Sequence, residues 1–114
     1  YVVRATEKNE ADRLVEDAMI LEKSGIFALV LEKIPAKLAS QVTQKIKAPT
    51  IGIGAGSGVD GQVLVLHDML GITQEFSPRY LRRYHNLYEE IKGSVESYIK
   101  DVKSIDFPNK NEQY

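Results

Sequence analysis

The chain contains no cysteine and no tryptophan, and only two histidines and four prolines. Without cysteine there is no disulfide framework, no thiol nucleophile and no thiolate metal site; the pattern fits a reducing cytoplasm. Nor is one sign of charge in excess. Fifteen basic residues face 16 acidic ones, for a formal net charge of −1 over 114 residues. Such a balance gives no electrostatic footprint for nucleic acid or an anionic membrane. No apolar run approaches the ~20 residues of a membrane span, and no signal peptide stands out. What is present is ordinary for a globular domain: 43% hydrophobic and 27% charged residues, enough to close a core. The chain has the size of one small domain. It opens on Tyr1-Val2-Val3, not on Met, which reads as a segment of a longer polypeptide. No repeat, low-complexity tract or linker divides it, so residues 1–114 are expected to form a single unit.

The pattern along the chain alternates helix and strand. Tyr1 to Ala5 is β-prone, a short strand or an extended entry. Thr6 suits an N-cap, with Glu7 and Glu10 in the first turn, where the helix dipole favours acids. Ala11, Leu14, Val15, Ala18 and Leu21 follow at helical spacing, and Gly25 supplies the usual stop; a helix over 7–24 is expected. Ile26 to Leu31 is a continuous apolar run ending in Glu32 and Lys33. A strand buried on both faces reads this way, as in a parallel sheet. Pro35 suits a first helical position, and Leu38, Ala39, Val42 and Ile46 form the stripe of a second helix that Pro49 ends. A second strand over 50–54 runs into the glycine-rich stretch 55–58. Gln62 to Leu66 reads as a third strand in preference to a helix capped by Asp60. Ser77 and Pro78 look like the start of a tail helix, with Tyr80, Leu81, Tyr84, Leu87, Tyr88 and Ile91 as its stripe and Gly93 as a break within it. Residues from Asp106 onward are polar and expected to fray.

Helix, strand, helix, strand with short connections is the signature of right-handed βαβ units. The expected architecture is a partial α/β unit of three or four strands. A complete (β/α)₈ barrel needs about 200 residues or more and a flavodoxin-like sheet about five strands; a barrel that closes with terminal helices would end as this chain does.

Glu32 is the most informative residue. It stands at the carboxyl end of an apolar strand, where parallel α/β folds build their ligand sites. A carboxylate half-buried there has its pKa raised by desolvation, which suits a general base near neutral pH; the plainer reading is a solvated strand-end charge paired with Lys33. Gly52, Gly54, Gly56 and Gly58 lack dinucleotide spacing, since Ser57 or Val59 stands where a third glycine is needed, and no Walker lysine follows. They can expose N–H groups to an anion or permit tight packing, with equal weight. His67 and Asp68 would point to opposite faces of a strand, so neither a dyad nor a metal pair is well supported; Asp68 serves equally as a cap. His85 reads as a surface or packing residue, and two histidines make no convincing metal site. Arg79, Arg82 and Arg83 form a basic cluster flanked by Glu75, Glu89 and Glu90, better suited to a solvated or subunit-contact face than to nucleic acid. The tyrosines beside them suit a core or an interface.

Three stretches, Phe27-Ala-Leu-Val-Leu-Glu-Lys-Ile-Pro35, Ile51-Gly-Ile-Gly-Ala-Gly56 and Asp60-Gly-Gln-Val-Leu-Val-Leu-His-Asp-Met-Leu-Gly71, in this order and spacing, closely resemble ketopantoate hydroxymethyltransferases. The resemblance runs from the start to the tail and corresponds to the C-terminal half of that family. It implies the later strands and terminal helices of a (β/α)₈ TIM barrel. It also implies transfer of a hydroxymethyl group from 5,10-methylenetetrahydrofolate to 3-methyl-2-oxobutanoate, giving ketopantoate for pantothenate and coenzyme A synthesis. In the family Mg²⁺ binds the keto acid, and the glutamate of the Leu-Glu-x-x-Pro segment removes the C3 proton. That glutamate is Glu32 here, the one catalytic residue carried over. The family's metal-binding carboxylates and substrate-binding lysine lie on earlier strands with no counterpart in this chain, so no metal ligand is assigned and no folate-contacting residue named. Lys33 stands where a small residue or Cys is more usual; on a strand it should point away from Glu32.

The resemblance further implies a cytoplasmic homo-oligomer acting on small molecules, with no nucleic-acid or membrane partner, and a segment of this length inactive alone. The rival reading is a stand-alone α/β anion-binding or assembly module using residues 52–58. A half barrel exposes sheet edges and apolar faces and tends to aggregate or pair; a stand-alone module would be monodisperse.

Overall fold

The computed structural model describes residues 2–114. The elements, in chain order, are α1 (Lys8–Lys23), β1 (Leu29–Glu32), α2 (Ala36–Lys45), β2 (Thr50–Ile53), β3 (Gly61–Gln62), α3 (Leu66–Met69) and α4 (Leu87–Lys103). They fall into two compact units. One holds the described residues up to Leu64 together with Pro78–Leu81, the other Val65–Ser77 with Arg82–Tyr114.

In the first unit β1, β2 and β3 form a parallel sheet in that order. Leu29, Val30, Leu31 and Glu32 stand opposite Thr50, Ile51, Gly52 and Ile53. Side chains alternate between faces along a strand. Leu31, Thr50 and Gly52 are buried and belong to the face that packs against helices. The core gathers there: Leu31, Ile34, Leu38, Ala39, Val42 and Ile46, joined by Ala18 and, partly buried, Leu14 and Val15 of α1. Thr50, fully buried, places its Oγ1 2.8 Å from Thr43 Oγ1 on α2. The other face carries Val30, Ile51, Glu32 and Ile53, and Val30 is 61% exposed.

The expected helices and strands are present with shifted limits. At the start of α1 the N-cap is Glu7, not Thr6, and no side chain caps it. The Glu10 carboxylate instead turns back past the N-cap to accept the Ala5 N–H at 2.9 Å. The described entry residues form no strand: Ala5 has φ +55°, and Arg4 N–H donates to Lys33 O at 2.9 Å. The part of that expectation that falls on Tyr1 lies outside the described residues. Gly25, with φ +94°, ends α1 as expected. β1 begins at Leu29, three residues later than the apolar run, and includes Glu32; Phe27, before it, is almost wholly exposed. Pro35 is the N-cap of α2 and not its first residue.

The third strand shrinks to Gly61–Gln62, and Leu66–Met69 forms a short helix. Of the expected strand over 62–66 only Gln62 lies in β3, and the alternative helix capped by Asp60 does not form: α3 has Val65 as its N-cap, and the Asp60 carboxylate accepts the Thr50 N–H. The expected tail helix from Ser77 is corrected more strongly, since α4 starts only at Leu87. The donors that would close its early turns are used elsewhere. Tyr84, Leu87 and Tyr88 N–H groups donate to Met69, Leu70 and Gly71 O at 2.8–3.0 Å. Gly93 does not break the helix; α4 runs through it. Beyond α4, Phe107 lies edge-on to Tyr98 at 5.6 Å, and Asp106 N–H donates to Asp101 O, so the start of the tail folds back on the helix that precedes it.

Candidate active site at the carboxyl end of the sheet

The site is built where β1 and β2 end together. Backbone pairing places Glu32 opposite Ile53, each the last residue of its strand and both on the face that α1 and α2 leave open. Opposed positions on one face hold their Cβ atoms about 5 Å apart. Glu32 is exposed, where partial burial is expected. The physical reason is that both packed helices cover the opposite face. A carboxylate so placed can accept a proton from a ligand lying over the strand ends, with an aliphatic wall beside it.

After Glu32 the chain turns sharply. Lys33 has φ +50°, the left-handed region that side chains disfavour. Its N–H donates to Ile53 O at 2.9 Å, and its own carbonyl accepts from Arg4 N–H. Lys33 has thus left the strand, and the strand rule for its direction no longer applies. Its Nζ sits 5.8 Å from the centre of the Tyr80 ring, within cation–π range.

Tyr80 lies against the same strand ends. A Cβ on Gly54, which has φ +62°, would come within 3.0–3.4 Å of three Tyr80 carbons. Gly54 therefore both makes the turn out of β2 and lets the ring approach. Gly56, at φ +80°, presses on α2: a Cβ there would collide with Ala36 Cβ. Gln62 Nε2 donates to Gly56 O at 2.8 Å and pins the loop. Of the two readings of the glycine stretch, close packing has direct support.

Asp60 holds the other end of this loop, its Oδ2 accepting the Thr50 N–H at 2.8 Å. His67 and Asp68 fall on α3 and not on a strand; Asp68 is buried and His67 exposed. His85 is exposed, with Nε2 3.2 Å from Glu90 Oε1, which suits the surface reading. Arg83 departs from the solvated basic face. Its guanidinium donates to Thr73, Gln74 and Phe76 carbonyls at 3.0–3.3 Å and to Ser77 Oγ at 3.3 Å, fixing the turn before it. Arg79 and Arg82 are exposed. Tyr80 was not distinguished in the sequence, where it looked like one more member of a helical stripe; only its contact with Gly54 reveals it.

Among the described residues no three of His, Asp and Glu come together as a metal ion would need. No helix among them is long and apolar enough to cross a membrane.

A parallel α/β unit with a carboxylate at the carboxyl end of a strand belongs to the class of α/β folds that place their ligand sites at strand ends. The particular family follows from comparison with known proteins. The ketopantoate hydroxymethyltransferase profile matches residues 1–110, and the chain belongs to that family. Over all 114 of its residues it is 67% identical to a 3-methyl-2-oxobutanoate hydroxymethyltransferase of Parabacteroides distasonis, and 65% and 63% identical to those of Porphyromonas gingivalis and Flavobacterium johnsoniae. In each case the chain spans 42% of the relative's length.

Proposed function

We propose that this chain is the later part of a (β/α)₈ barrel, its strands and terminal helices one continuous portion of a single domain. In this reading the barrel transfers a hydroxymethyl group from 5,10-methylenetetrahydrofolate to 3-methyl-2-oxobutanoate, with Glu32 as the general base. The observation that carries it is the one-sided cover of the sheet. Parallel sheets are ordinarily buried on both faces, yet here α1 and α2 pack on one, while Val30, Ile51 and Ile53 line the other with Glu32 at its carboxyl end. An apolar face with a carboxylate at its rim is what a barrel interior beneath an active site looks like.

In the reaction so read, a Glu32 oxygen takes the proton from C3 of the keto acid. The electron pair of the broken C–H bond moves into the enolate, and the C3 carbon then bonds the methylene carbon of the folate as one of its two C–N bonds breaks. Water adds its oxygen to that carbon as the second C–N bond breaks, and the two freed nitrogens of tetrahydrofolate take up the proton from C3 and one from water. Ile53, opposite Glu32, faces the methyl groups that C3 carries. Mg²⁺ would polarise the ketone, but the described residues do not fit a metal site; its ligands, in this reading, sit on other strands. The working protein is read as a cytoplasmic homo-oligomer without nucleic-acid or membrane partners. The exposed row Ile91, Val95, Tyr98, Ile99 and Val102 on α4 supports assembly.

The test is Glu32→Gln in the full-length transferase. Turnover should fall at least about 100-fold, as for loss of a general base, with keto-acid binding changed little. Near-normal turnover would overturn the assignment.

A further inference from the structure

We infer that Tyr80 and Lys33 act as one clamp that positions Glu32, Tyr80 being a positioning residue and not a catalytic one; this rests on the reading of Glu32 as the base. Three observations converge on the residue after Glu32. Lys33 is held in a left-handed turn, a conformation that persists in a non-glycine residue only when its surroundings fix it. Two backbone hydrogen bonds bracket it, one from Lys33 N–H to Ile53 O and one from Arg4 N–H to Lys33 O. Its ammonium then reaches over the Tyr80 ring, which is itself seated on Gly54 at the end of β2.

Pro78–Leu81 belongs to the compact unit that contains the sheet, although the residues on either side of it do not. Tyr80 is the member of that segment seen to touch Gly54 and Lys33. The ring therefore ties a segment remote in sequence to the ends of β1 and β2 at once. Releasing either half of the clamp removes the side-chain tie on the Lys33 turn and leaves the two backbone hydrogen bonds alone to set the direction in which Glu32 leaves the strand. A proton transfer needs its base within a few tenths of an ångström of the productive place, so such a loss acts on the rate and not on substrate affinity.

The experiment uses the full-length transferase. It measures exchange of the keto-acid C3 hydrogen in D₂O together with steady-state kcat and KM, with melting temperature as a check on folding. Tyr80→Phe keeps the ring over Lys33 and should retain more exchange than Tyr80→Leu. Tyr80→Leu and Lys33→Met should each lower exchange and kcat about 10-fold with KM for the keto acid within about 2-fold. The double variant should be no worse than either single, as residues acting as one unit behave. Additive losses, a loss confined to KM, or no loss in the single variants would overturn the clamp. If Tyr80→Leu fails to fold, Lys33→Met alone carries the same outcomes. Glu32→Gln is run alongside. Exchange at the parent rate in that variant refutes the base and the clamp with it; exchange abolished there but intact in Tyr80→Leu and Lys33→Met refutes the clamp alone.

Discussion

Glu32 and Ile53 stand opposite each other in the β1–β2 ladder, on the face that neither α1 nor α2 covers. The pairing makes Ile53 the nearest same-face neighbour of the proposed base on β2. Truncation by Ile53→Ala should remove the aliphatic wall and lower kcat/KM for a C3-branched keto acid by about 10-fold or more, the scale of lost methylene contacts. An unbranched keto acid should suffer less. Steady-state kinetics of the full-length enzyme with both substrates checks this; equal losses would place Ile53 away from the substrate.

Gly56 is expected to be the least replaceable glycine of its loop. Its φ of +80° strains any side chain, and an added Cβ would collide with Ala36 Cβ and Cα. Gly56→Ala should destabilise the protein by about 2–4 kcal/mol, summing the left-handed penalty and overpacking. Denaturant unfolding measures it. A change under about 0.5 kcal/mol would show that the loop gives way freely.

The Asp60 carboxylate serves a fully buried threonine. It accepts from Thr50 N–H at 2.8 Å and lies 3.2 Å from Thr50 Oγ1. Asp60→Ala would leave that buried N–H without its acceptor and should cost about 1–3 kcal/mol. Asp60→Asn keeps an acceptor oxygen and should recover most of the loss. Equal stability of the two variants would show that another group takes over.

Gly93 lies inside α4, and a Cβ there would meet nothing within 4 Å. Gly93→Ala should stabilise the helix by roughly 0.8–1 kcal/mol, the propensity difference between the two residues. The thermal midpoint should rise. A fall would mean that something covers this position in the assembled protein.

Much of this was legible in the residues themselves because it depends on neighbours along the chain. The 3.6-residue stripe of α1 and α2 and the unbroken apolar run into β1 are local facts, and Gly25 stops α1 where it was expected to. The motif order around Glu32 identified the family, and the family comparison agrees with it. The tail was misread for the same reason. Tyr80, Leu81, Tyr84, Leu87 and Tyr88 have helical spacing, but spacing says nothing of where backbone donors are spent. The donors of Tyr84, Leu87 and Tyr88 go to Met69, Leu70 and Gly71, and Arg83 ties up the carbonyls of Thr73, Gln74 and Phe76.

The sequence by itself determined the α/β alternation, the family and the place of Glu32 at a strand end, since each rests on periodicity or on a contiguous motif. Only the tertiary structure decided which face Glu32 shares with Ile53, that the glycines of the loop serve packing, and that Tyr80 meets Lys33 from 47 residues away in the chain. Those are contacts between elements distant in sequence. They are set by strand register and by which helices cover which face, and no local pattern of residues encodes either.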